Sequence, residues 1–172
     1  MNTSIVLTII ADDQPGIIET VSEVLKKHDG NWTQSSMSSL AGQFAGILLA
    51  SVPGDNTNVC LAELKALEAE GLRIIVRTSS DETLAENMEE YSLELVGNDR
   101  PGIVHDITCI LASHKASVIN FETSVEAASM GGGELFKARA QLLVPESSDI
   151  FALEGELEDI ANDLMVDIRF EK

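Results

Sequence analysis

The stretch Asp12-Asp13-Gln14-Pro15-Gly16-Ile17-Ile18 returns as Asn98-Asp99-Arg100-Pro101-Gly102-Ile103-Val104, 86 positions later. The register extends on both sides of this motif: Leu7 matches Leu93, Leu25 matches Leu111, and His28 matches His114. After a six-residue insertion the offset becomes 92, and Phe44 then matches Phe136, Val52-Pro53 matches Val144-Pro145, and Arg77 matches Arg169. Two copies of one unit account for these 172 residues, so no separate catalytic or DNA-binding domain is expected among them. The reading predicts a first domain over 1–79, an acidic linker over 80–90 and a second domain over 91–172. Units of roughly 80 residues are small, so each is expected to gain stability by docking against its twin or another chain.

Working outward from the motif, Ser4–Ala11 carries the apolar run Ile5-Val6-Leu7-Thr8-Ile9-Ile10, a central strand, and Tyr91–Gly97 is its copy. Pro15 and Pro101 fall near the first helical position, where a missing N–H costs nothing. Ile17, Ile18, Val21, Val24 and Leu25 follow at helical spacing, and Ile103, Val104, Ile107, Ile110 and Leu111 repeat them. These amphipathic helices are expected to end near Gly30 and Ala116. Two strands come next as a hairpin, about Ser117–Ala127 and Glu134–Val144 in the second unit, where Phe136, Ala138, Ala140 and Leu142 alternate with Lys137, Arg139 and Gln141. The hairpin turns fall at Leu40-Ala41-Gly42 and at Ser129-Met130-Gly131-Gly132-Gly133. A second helix carries Leu61, Leu64 and Leu67, then Ile150, Leu153, Leu157 and Ile160, with Gly71 placed as a C-cap. Last strands follow at Leu72–Arg77 and Leu164–Phe170. Each unit is therefore β-α-β-β-α-β. Right-handed crossovers make it an α+β, ferredoxin-like fold: a four-stranded antiparallel sheet with two helices on one face.

Composition narrows the function classes. The hydrophobic fraction is 44%, with five Phe, one Tyr and one Trp, so the cores are aliphatic. The formal charge is −18, which repels the phosphates of nucleic acid, and Lys and Arg form no basic helix face. Acidity also keeps a cytosolic protein soluble. Cys60 and Cys109 are not equivalent in the repeat and form no Cys-x-x-Cys pair, so both read as reduced, buried thiols. No basic n-region and no apolar run near 18 residues is present. A cytoplasmic chain without membrane or direct nucleic-acid contact is expected.

The first strand-to-helix loop is the main candidate site. Gln14 and Arg100 precede proline and sit at the turn, and Asp13 and Asp99 can cap the helix start. Gly16 and Gly102 have no side chain, so a ligand can approach the backbone. A helix N-terminus favours a carboxylate, while Asp12, Asp13, Asn98 or Asp99 can take an ammonium. Together these groups suit both ends of a free amino acid. The competing reading is a well-capped helix start that binds nothing.

Asp-x-Pro-Gly-Ile/Val, closing a first strand and opening an amphipathic helix within β-α-β-β-α-β, resembles the ACT domain. The resemblance covers both units. It implies a small regulatory module that binds amino acids at interfaces between two copies, with a homodimer possible. A pair of such domains is similar to the family of glycine cleavage system transcriptional repressors. That similarity implies a non-enzymatic repressor, with glycine the first effector to consider and a DNA-binding transcription activator as protein partner. By the same resemblance Asp13, Pro15 and Gly16, with Asp99, Pro101 and Gly102, fall on the ligand loop. Gln14 departs from the more usual basic residue, which Arg100 supplies, so the first loop is expected to be the weaker or altered site.

Other features carry less. His28 and His114 recur at the end of the first helix, where a histidine interacts favourably with the helix dipole. Three histidines without ligand spacing make no metal site, and no cofactor motif is present. Gly131-Gly132-Gly133 precedes a strand and lacks the Gly-Lys-Ser/Thr ending of a phosphate loop. Asn31 and Asn120 lie near the start of the second strand of each unit, where they can reach a ligand at an interface, but they read first as polar turn or edge residues. Two alternatives to the repressor stand. One is a detached regulatory subunit of an amino-acid metabolic enzyme. The other is acylphosphatase-type catalysis, for which Arg100 is roughly placed but the Gly-rich phosphate loop is missing.

Overall fold

The computed structural model describes residues 2–78, 87–128 and 133–172, which fall into two compact units. The first contains β1 (Asn2–Asp12), α1 (Ile17–Lys27), β2 (Asn31–Leu40), β3 (Gln43–Pro53), α2 (Gly54–Ala66) and β4 (Arg73–Thr78), with a 3-10 turn at Leu67–Glu70. The second contains β5 (Met88–Asn98), α3 (Ile103–Ser113), β6 (Ser117–Ala127), β7 (Glu134–Pro145), α4 (Ile150–Leu164) and β8 (Val166–Glu171). The sheets run β2-β3-β1-β4 and β6-β7-β5-β8, antiparallel throughout. This is the expected β-α-β-β-α-β order, made twice.

Each core lies between the helices and one face of its sheet. On β1, Ile5, Leu7 and Ile9 are buried and Val6, Thr8 and Ile10 are not, because successive side chains alternate across a strand. Val21 and Leu25 of α1, Leu48 and Val52 of β3, and Leu64 of α2 complete the first core. The second is its counterpart, with Leu93, Leu95, Ile107, Leu111, Leu142, Leu153 and Leu157. Tyr91 and Phe170 stack at a ring separation of 4.8 Å across β5 and β8.

Several local expectations are corrected. Helix α1 ends at Lys27 and α3 at Ser113, each three residues short of the expected stop. The chain turns back because Asp29 and Lys115 adopt positive φ, and the N–H groups of Gly30 and Ala116 donate to the carbonyls of Leu25 and Leu111. That six-to-one bond closes a helix end. Pro15 and Pro101 lie before the helices, which begin at Ile17 and Ile103. Leu164 ends α4 rather than opening the last strand. Cys60 is buried, as expected, but Cys109 is exposed. It faces solvent because it sits on α3 one turn from His105, opposite Ile103, Ile107 and Leu111. Residues 80–86 of the expected linker and 129–132 of the second hairpin turn lie outside the described residues, while Met88–Glu90 already belong to β5.

Candidate functional site

The two Pro-Gly loops have the same backbone shape. Gly16 has φ +97° and ψ −6°, and Gly102 has φ +93° and ψ −11°. Both stand in the left-handed region that a side chain resists, which explains a glycine at each helix entry. Their carbonyls accept the first helical bonds, from the N–H of Thr20 at 2.9 Å and of Asp106 at 3.0 Å. No side chain caps either helix. The capping expected of Asp13 and Asp99 is therefore absent, because the left-handed glycine carries the chain away from the aspartate before the helix begins. The first-turn N–H groups keep their partial positive charge without a side-chain acceptor.

In the first unit the two acids are engaged by the adjacent hairpin. The Asp13 N–H donates to the Gly42 carbonyl at 2.9 Å, and Ser39 Oγ donates to the Asp13 carboxylate. Gln43 Nε2 donates to Asp12 Oδ1 at 2.7 Å. The hairpin turns tightly at Ala41 and Gly42, both at positive φ, which brings Ser39 and Gln43 to the loop. In the second unit the Asp99 N–H donates to the Glu134 carbonyl at 2.9 Å, at the position equivalent to Gly42. Arg100 Nη2 lies 3.5 Å from Asp106 Oδ2 of α3, and both groups are exposed.

The structure thus brings Asp12, Asp13, Pro15 and Gly16 into one exposed loop, and Asn98, Asp99, Arg100, Pro101 and Gly102 into its counterpart. A Cβ on Gly16 meets nothing within 4 Å, and one on Gly102 meets only Asp106 Oδ2 at 4.0 Å. The backbone of both loops is open to approach. Ile18 and Val104, expected in the cores, are exposed beside the loops at 50% and 38%. They give each helix start an apolar flank. Ser39, Gln43 and Asp106 were missed in sequence because they reach the loops only through strand register and a helix turn. Asn31 and Asn120 lie on exposed edge strands, as read. Among the described residues no cluster of three potential metal ligands occurs.

These features define a class of protein: a chain with a tandem ACT-like fold. Residues 3–78 match the family model described as ACT domain, and the second unit repeats the same topology. The chain is similar over its length to an unknown protein from Galdieria sulphuraria, at 27% identity and TM-score 0.89, with 99% of this chain and 98% of that one covered. It is also similar in fold to a proposed glycine cleavage system transcriptional repressor, at 17% identity and TM-score 0.68, covering 99% of this chain and 97% of that one. No curated protein matches the chain in sequence.

Proposed function

We propose that the chain is an amino-acid-responsive regulator that represses glycine cleavage genes by contacting a DNA-binding transcription activator, with glycine as the first effector to consider. The observation that carries this reading is the duplicated loop: an uncapped helix start entered by a left-handed glycine, with carboxylates beside it. Uncapped N–H groups suit a carboxylate, and Asp12, Asp13 and Asp99 suit an ammonium. The likeness to a proposed repressor of the same two-unit length supports the choice of pathway.

The effector acts only if it binds the free and partner-bound states with different affinity. Glycine signals that the cleavage enzymes are needed, so it favours the free state and releases the activator. Linkage then requires the activator to weaken glycine binding by the same factor. The acidic surface speeds encounter with a basic partner without selecting it. A thermal-shift screen of the twenty amino acids tests the first step, since a ligand at about 100 times its Kd stabilises by roughly 2.7 kcal/mol. Titration of the candidate activator with and without glycine tests the second. Equal affinity for the activator at zero and saturating glycine contradicts the mechanism.

A further inference from the structure

We propose that His105 and Cys109, on the outer face of α3, hold a zinc-type divalent metal ion through one imidazole nitrogen and one thiolate. The two residues are four apart on the helix, so their side chains stand one turn apart on the same face. Cys109 Sγ lies 3.6 Å from His105 Nε2 and 3.8 Å from Nδ1. Zinc bonds of about 2.3 Å to sulfur and about 2.0 Å to nitrogen, at the tetrahedral angle, set the two donors roughly 3.5 Å apart. The pair already stands at that separation, so an ion fits between the donors without a backbone shift. Both ring nitrogens are within reach, and the exposed imidazole is free to turn either one toward the ion.

Donor type selects the metal. A thiolate with an imidazole suits zinc and its neighbours, whereas magnesium and calcium take oxygen ligands. The expectation of no metal site rests on the spacing of the histidines, and here the second donor is a cysteine. The other thiol, Cys60, is buried, and His28 and His114 are held by Glu63 and Glu156. The pair belongs to one unit only. Its equivalents on α1 are Glu19 and Glu23, two exposed carboxylates. The −18 charge gathers cations of every kind near the surface, so what distinguishes this site is its preference for a soft one.

The site is open and exchangeable. Among the described residues no third His, Cys, Asp or Glu joins the pair. Structural zinc sites use four protein donors and catalytic ones three, so two donors leave positions for water or a small ligand. Half the donors of a structural site give a Kd on the order of 10 µM. On uptake the zinc–sulfur bond forms as the S–H bond breaks, and the proton passes to solvent. The bound ion clips one turn of α3. Because the unfolded chain does not hold the two donors together, the ion stabilises the folded form.

The test is titration of cobalt(II), a spectroscopic stand-in for zinc, into the full chain kept reduced by a phosphine, beside Cys109→Ser and His105→Gln. Both residues are exposed, and circular dichroism checks that each variant keeps its fold. A thiolate bound to cobalt gives a sulfur-to-metal charge-transfer band that carboxylates and water do not. The expected result is one cobalt per chain with that band, displaced by zinc and indifferent to millimolar magnesium. The band disappears in Cys109→Ser, although Cys60 remains, and the Kd rises at least about tenfold in His105→Gln. No thiolate band, a band that survives Cys109→Ser, a Kd unchanged in His105→Gln, displacement by magnesium, or one cobalt shared between two chains overturns the proposal.

Discussion

Glu63 of α2 reaches His28 at the end of α1, Oε2 to Nε2 at 2.8 Å, and takes Lys27 Nζ at 2.7 Å with its other oxygen. The second unit repeats the device between His114 and Glu156, at 3.3 Å. Asn56 and Ser148, equivalent in the repeat, donate to the carbonyls of His28 and His114 at 3.2 Å each. The recurring histidines therefore tie the first helix of each unit to the second, beyond any interaction with a helix dipole.

This tie gives a pH dependence. Hydrogen bonds from Lys27 and then His28 hold the Glu63 carboxyl below the usual carboxylate range. A carboxyl with a depressed folded pKa contributes stability above its unfolded pKa and loses it as pH falls through the folded value. Glu63→Gln should therefore lower the melting temperature at neutral pH, with the difference shrinking as pH falls through and below the carboxylate range. Melting curves of both proteins across that range check this. A gap that stays constant with pH would show that the carboxylate charge is not what stabilises the pair.

Gly97 tests the packing of β5 on β8. A Cβ there would stand 2.2 Å from Val166 Cγ1 and 3.1 Å from Val166 Cα, so the strands must shift. Gly97→Ala should destabilise by about 1–3 kcal/mol, the usual range for overpacking. Denaturant unfolding measures it, and an unchanged midpoint would mean the strands yield freely.

The purified protein should not retard a promoter fragment at physiological salt. The −18 charge opposes phosphate contact, and protein–DNA affinity rests largely on such contacts. Salt-sensitive retardation by the protein alone would place a DNA-binding surface on the chain and remove the need for an activator.

The fold was largely legible because each unit states it independently. The helical spacing of Ile103, Ile107 and Leu111 and the alternation of Phe136, Ala138, Ala140 and Leu142 survive as buried faces. The loop was legible in its residues but not in its bonding. Asp13 reads as a cap beside a helix, yet it belongs to a hairpin 26 residues away through Ser39, and no local pattern reports that. The exposure of Cys109 did have a signal. Its equivalent in the first unit is Glu23, a solvent-facing charge, and that of His105 is Glu19. The thiol chemistry suggested burial where the repeat indicated surface.

The loop glycines offer separate evidence on stability and binding. Valine at Gly16 or Gly102 forces a branched side chain into a left-handed conformation, which should cost about 1–3 kcal/mol of stability. It also occupies the approach to the helix start. Gly16→Ala and Gly102→Ala should show a smaller loss in both respects, measured by thermal unfolding.

The central claim is that a small amino acid binds at these loops. Titration calorimetry of glycine, then of the other amino acids, into the folded protein and its Gly16→Val and Gly102→Val variants tests it most directly. The account predicts saturable binding of one small amino acid, weakened at least about tenfold by one or both valines, an energetic loss above about 1.4 kcal/mol. No binding of any amino acid, or an affinity unchanged in both correctly folded variants, would contradict it.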